Sequence, residues 1–71
     1  MTPKERELLE YFKRHRGELL THEQILRDVW GWPEDAITGS SRNTLHVHVS
    51  WLRGRGERIE NVWNVGYRYE G

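Results

Sequence analysis

The chain has no cysteine, a single methionine and only two prolines, and its formal charges cancel to zero. Without thiols there is no disulfide, no thiolate metal cluster and no cysteine nucleophile, and a reducing compartment is permitted. No apolar run approaches the roughly 20 residues that cross a bilayer. Met1 is followed directly by Thr2-Pro3-Lys4-Glu5, with no apolar signal region. The expectation is therefore a cytoplasmic protein with no membrane partner. A neutral total speaks against a strong nonspecific polyanion binder. No glycine-rich phosphate loop is present, and no nucleophile, base and orienting acid come together in the sequence. Neither an enzyme nor a bound cofactor or small-molecule substrate is expected.

What is present fits one small domain spanning residues 1–71. A chain of this size buries only about 60% of the surface its unfolded form exposes, which allows one modest core. The four tryptophans, Phe12 and the tyrosines are expected to supply much of that core, since each aromatic buries roughly 150 to 250 Å². The charge is uneven. Residues 1–35 carry six Lys or Arg against eight acids, whereas residues 36–71 carry five Arg against three. A nucleic-acid face belongs in the second half.

Thr2-Pro3-Lys4-Glu5 reads as a capping box with proline in the first turn. Leu8, Leu9 and Phe12 then share one stripe, so a first helix is predicted from Pro3 to about His15, stopped by Gly17. Thr21 and Gln24 repeat the device, and Ile25, Leu26, Val29 and Trp30 predict a second helix over His22–Trp30. The Glu18-Leu19-Leu20 link has room for a brief extended segment. Gly31 to Ser40, GWPEDAITGS, is dense in breakers and reads as a loop. Its Trp32, Glu34 and Asp35 are candidates for a contact with a protein partner; the plainer reading, a solvated connection pinned by one buried tryptophan, is slightly preferred.

The stretch Ser41–Arg55, SRNTLHVHVSWLRGR, is ambiguous in period, because Leu45, Val47, Val49 and Trp51 also alternate as a strand would. Helix is favoured by a cap at Ser40 or Ser41, by the i, i+4, i+7 spacing of Leu45, Val49 and Leu52, and by the two capped helices upstream. The predicted span is Arg42–Arg53. Arg58–Val62 and Val65–Glu70 read as strands. Trp63 and Asn64 lie between them, and Asn64 suits the left-handed turn a hairpin needs. The fold class is thus mainly α with a small β-hairpin, a winged helix-turn-helix of three helices and a C-terminal two-stranded wing.

The words TPKERELLEYF, LTHEQIL, VWG, TLHVHVSWLR and VGYRYE, running from Thr2 to Glu70, resemble the C-terminal effector domain of OmpR/PhoB-type response regulators. The resemblance implies transcription regulation by binding double-stranded DNA, with the third helix in the major groove and the hairpin beside the minor groove. It implies phosphate contacts at the positions of Trp30, His48 and Arg53, and it marks Trp51 and Trp63 as standing where that family typically has base-reaching arginines. An arginine forks to a guanine edge, whereas indole offers one donor and an apolar face. The family's N-terminal strand platform and phosphoacceptor domain are expected to be missing. The link Gly54-Arg55-Gly56-Glu57 is shortened, as in a trimmed or stand-alone relative.

The candidate DNA-binding set is Trp30, Arg42, Asn43, Thr44, Val47, His48, Ser50, Trp51, Arg53, Arg55 and Trp63, with Arg58 as a further phosphate candidate. Asn43, Thr44 and Ser50 can meet base edges and Val47 a thymine methyl, against the plain reading of a solvated helix face. The cations can meet phosphates. Few positive charges imply weak binding by one copy, so a homodimer on DNA or a second transcription protein such as RNA polymerase is an expected partner. Trp51 and Trp63 are expected to bury one another under a folded-back hairpin, ahead of a protein-binding surface or stacking on bases. The alternative function is a protein-interaction winged helix using those two tryptophans. His46 and His48 lie two apart, on different sides of a helix, and no metal site is expected.

Overall fold

The computed structural model describes residues 1–71. Helix α1 spans Pro3–Arg14. Thr2 Oγ1 accepts from the Glu5 N–H at 3.2 Å while Glu5 Oε1 accepts from the Thr2 N–H at 3.1 Å, which is the reciprocal cap expected of that tetrapeptide. A short strand β1, Leu19–Thr21, leads into α2, His22–Ile25, where Thr21 Oγ1 accepts from the Gln24 N–H at 3.1 Å. The helix continues as a π-helical turn over Leu26–Trp30 and stops at Gly31, whose φ of 73° is left-handed. A 3₁₀ turn at Glu34–Ala36 precedes α3, Gly39–Gly54. Strands β2, Ile59–Val62, and β3, Gly66–Tyr69, close the chain.

Most predicted bounds fall within one residue of the observed ones, and two features differ by more. Helix α3 starts at Gly39, three residues earlier than the sequence suggests, because its entry is fixed from outside the helix. The Ser41 hydroxyl is buried, donates to the Ala36 carbonyl at 2.9 Å and accepts from the Thr38 N–H at 3.2 Å. Thr38 is therefore the N-cap in place of Ser40 or Ser41, and Ser41, in the first turn, supplies the reciprocal half of the cap. The second shift is in the wing. It is a three-stranded antiparallel sheet in the order β1-β3-β2, since the extended link pairs Leu20 with Tyr67 and Thr21 with Gly66. The β2–β3 turn is Trp63-Asn64-Val65, with Asn64 at φ 60° and the Val65 N–H donating to the Val62 carbonyl at 3.1 Å. Asn64 adopts the left-handed conformation expected of it.

Gly66 is what allows β1 to join. A Cβ built there would overlap the Leu20 carbonyl oxygen and lie 2.8 Å from the Leu20 carbonyl carbon and 2.9 Å from Thr21 Cα. All of these are backbone atoms, which cannot swing aside as a flexible side chain would.

The core is built mainly from aliphatic side chains. Leu8, Phe12, Leu20, Ile25, Leu26, Leu45, Val49 and Leu52 are essentially inaccessible, and Leu9, Tyr11, Ile59, Tyr67 and Tyr69 complete it. The expectation that tryptophan supplies much of this core fails: Trp30 and Trp32 pack against its edge, and Trp51 and Trp63 are exposed. Phe12 and Tyr69 stack at 6.0 Å between ring centroids. Tyr69 Oη donates to Glu57 at 2.7 Å and Tyr11 Oη to Asp28 at 2.7 Å. Burial first, and then the Asp28 hydrogen bond, push the Tyr11 phenol up to about 12.

Gly66→Ala is expected to cost about 3 kcal/mol, because the overlap is with a neighbouring backbone. In a domain of this size that corresponds to a melting temperature lower by about 12 °C or more, readable by circular dichroism.

Acid should also destabilise the domain. The Thr2 backbone N–H chiefly, with help from Arg55, holds the Glu5 carboxyl below its ordinary value. The Tyr11 hydroxyl does the same for Asp28. Carboxylates lowered in the folded state stabilise it above their unfolded pKa and lose that contribution as pH falls through the lowered one. Melting temperature should therefore drop on acidification below about pH 4, and the drop should be smaller in Glu5→Gln.

Candidate nucleic-acid interface

Helix α3 turns 100° per residue, so its buried stripe of Ser41, Leu45, Val49 and Leu52 dictates what the opposite side shows. That side carries Asn43, Val47, Ser50, Trp51 and Gly54 within about 100° of arc. Asn43, Ser50 and Trp51 are exposed and Val47 is half-buried. The whole of α3 contains no acidic residue. Its basic side chains leave from the two flanks of this face.

On the flank toward the sheet, Arg42 Nη2 pairs with Glu23 at 3.0 Å. Arg53 reaches across to the wing, donating from Nε and Nη2 to the Ile59 carbonyl at 2.8 and 2.6 Å. His46 Nδ1 lies 3.3 Å from Tyr67 Oη, and the ring of His22 meets Tyr67 edge-on at 5.6 Å. Burial, then the Arg42 charge, keeps the His22 pKa below its ordinary value.

On the flank toward α1 and the π-helical turn, His48 Nδ1 sits 2.8 Å from the Thr44 carbonyl. With a carbonyl as partner, Nδ1 carries the proton and donates. The His48 ring packs between Trp30, at 5.1 Å and nearly perpendicular, and Trp51, at 4.8 Å. Trp30 in turn touches Trp32 at 6.0 Å and lies under Lys4 Nζ, 5.5 Å from its ring centroid. Arg55 Nε pairs with the buried Glu5 at 3.4 Å. His46 and His48 therefore point to opposite flanks and cannot chelate one ion together.

The structure gathers Arg42, Asn43, Thr44, Val47, His48, Ser50, Trp51, Arg53 and Arg55 on or beside one helix face and sets Trp30 at its margin. The Thr44 hydroxyl is already spent on the Ser40 carbonyl at 3.2 Å. The expected mutual burial of Trp51 and Trp63 is overturned, since Trp63 is 86% exposed at the hairpin tip and Trp51 is 48% exposed with its ring against His48. The hairpin is pinned outward by β1 pairing and by Arg53, and so does not fold back. In the Gly31–Ser40 loop, Trp32 is half-buried while Glu34 and Asp35 are exposed.

Sequence reasoning missed Lys4, Glu5, Glu23 and Tyr67, which hold the interface side chains from other elements. Their partners lie between 19 and 50 residues away along the chain, so no local spacing announces them.

Three helices with a sheet-based wing, and an acid-free helix face bordered by cations, define a winged-helix protein. The chain belongs to the family described as "Transcriptional regulatory protein, C terminal", the OmpR/PhoB-type DNA-binding domain, whose model matches residues 1–69. It is 35% identical over 99% of its length to the response regulator SaeR of Staphylococcus epidermidis, covering 32% of that protein. It is 36% identical over 99% of its length to the alkaline phosphatase synthesis transcriptional regulatory protein PhoP of Bacillus subtilis, covering 30% of it. The chain thus spans about a third of the length of these curated relatives. The DNA-binding domain of Bacillus subtilis CssR superposes with a TM-score of 0.79 at 32% identity, over 97% of this chain and 76% of that one. No helix is long and apolar enough to cross a membrane.

Because Arg53 ties α3 to the wing, Arg53→Ala should lower stability by about 1 kcal/mol with no nucleic acid present. Its melting temperature should fall by about 4 to 8 °C, a loss that Arg53→Lys only partly restores because a lysine lacks the fork of donors.

Proposed function

We propose that this domain regulates transcription by laying α3 in the major groove of double-stranded DNA, with the β2–β3 hairpin against the neighbouring minor groove. The observation that carries the reading is the acid-free outer face of α3, rigidly set by its buried stripe and bordered on both sides by cations. Arg42, Arg53, Arg55, Arg58 and His48 approach phosphates, and Trp30 packs behind His48. Asn43, Val47, Ser50 and Trp51 face the bases. Trp63 tips the hairpin. The exposed Arg42–Glu23 pair is worth at most about 1 kcal/mol, so Arg42 can exchange it for a phosphate at small cost.

The balance of charge sets the affinity. With few uncompensated cations, one copy binds weakly, and two copies on adjacent half-sites, or a second transcription protein, raise the affinity to a useful level. Glu34 and Asp35 lie in the loop that precedes α3 and, with Trp32 at its base, offer such a protein a contact of opposite sign.

The test is a titration of labelled mixed-sequence duplex at two salt concentrations. Engagement of about four phosphates gives a logarithmic salt slope near −3.6, and Arg58→Ala reduces the slope by about 0.9. Arg58 is exposed at the base of the wing, so its removal should leave the melting temperature unchanged. Undetectable binding at low salt would end the DNA reading.

A further inference from the structure

The centre of the α3 outer face has no guanidinium. Arg42, Arg53 and Arg55 all leave from its flanks and are turned toward Glu23, the Ile59 carbonyl and Glu5. A bidentate fork to the O6 and N7 edge of guanine, the commonest specific contact in the major groove, is therefore not available from the residues that face outward. What does face outward is an apolar pair set beside the polar Asn43 and Ser50. Val47 and Trp51 lie four residues apart on adjoining turns, and Trp51 is held in orientation by the His48 ring at 4.8 Å, which is itself fixed by its hydrogen bond to the Thr44 carbonyl. Trp51 thus presents an oriented indole with about half its surface free. Asn43, exposed one turn before Val47, adds an amide that can meet adenine at N6 and N7.

Only one group in the major groove of DNA matches an apolar pair of this kind. It is the C5-methyl of thymine; cytosine shows only a hydrogen at that carbon unless it is methylated. We infer that the domain reads C5-methyl groups, preferring A·T-rich duplex through Val47 and Trp51, with Asn43 on the paired adenine. The inference rests on the proposed placement of α3 in the major groove. It follows that methylated cytosine can stand in for thymine at the same positions, since the methyl sits at the same place on the pyrimidine ring.

The test uses four duplexes of about 30 base pairs with equal phosphate charge, so that the electrostatic part of binding is held constant. They are an alternating A·T duplex, its uracil counterpart, an alternating G·C duplex and its 5-methylcytosine counterpart. Affinities are measured by fluorescence anisotropy at low salt. Removing a methyl buried at the interface should weaken binding roughly fourfold for each one contacted, so uracil should bind less tightly than thymine, and 5-methylcytosine more tightly than cytosine. Trp51→Ala should abolish both differences and weaken binding of the thymine and 5-methylcytosine duplexes to the level of their methyl-free counterparts, with circular dichroism confirming that it folds. Val47→Ala should reduce them. Equal affinity for the thymine and uracil duplexes would overturn the inference while leaving DNA binding intact. Failure to bind any of the four would overturn the groove placement together with it.

Discussion

The rotational setting of α3 is the constraint on which the rest depends. Leu45, Val49 and Leu52 are essentially inaccessible, and burying three such side chains is worth about 5 to 9 kcal/mol. That is comparable to the whole stability of a small domain, roughly 5 to 15 kcal/mol. A turn of the helix by one residue would bring polar side chains into the core and apolar ones out of it. The stripe therefore fixes which side chains look outward, and every property assigned to the outer face inherits that setting. The Ser41 hydroxyl, bonded to Ala36 and Thr38, locks the same register at the start of the helix.

A second set of contacts fixes where the wing stands relative to that face. Gly66 admits the backbone of β1 to the sheet, which links the segment between α1 and α2 to the C-terminal hairpin. Arg53 closes the other side by donating to Ile59. The wing is thus tethered at both edges and its tip projects freely, which is why Trp63 is left in solvent. A residue on the face can for the same reason be structural: Arg53 is a candidate for phosphate contact and also the strut of the wing. A change at Arg53 would therefore disturb the fold as well as the proposed phosphate contact, whereas Arg58 carries no such strut.

Aromatic side chains do different work here from what their number suggests. The core is filled by aliphatic side chains with Phe12 and three tyrosines, all three tyrosines buried. Trp30 and Trp32 lie at its rim, and Trp30 and Trp51 bracket the His48 ring that the Thr44 carbonyl holds. An indole is a large flat surface with a single donor. Placed around a histidine at the edge of a helix face, it supplies shape and apolar contact where an arginine would supply charge.

Much of this was readable in the chain itself. The capping box at Thr2, the N-cap at Thr21, the apolar periods of the helices, the turn at Asn64 and the family words from Thr2 to Glu70 are all local, and their physics acts over a few residues. They determined the three helices, the hairpin and the family, and they placed the outward residues of α3 on one face. Tertiary structure decided the rest, because it depends on pairs distant in sequence. Nothing in the local pattern shows that Leu19–Thr21 becomes a third strand, since that pairing requires Gly66 far down the chain. The exposure of Trp51 and Trp63, the engagement of Arg42 by Glu23 and of Arg55 by Glu5, and the bracing of His48 by Trp30 are likewise set by which surfaces the core brings together. Composition states how many aromatics and charges a chain has, but only packing decides which are left free to meet a partner.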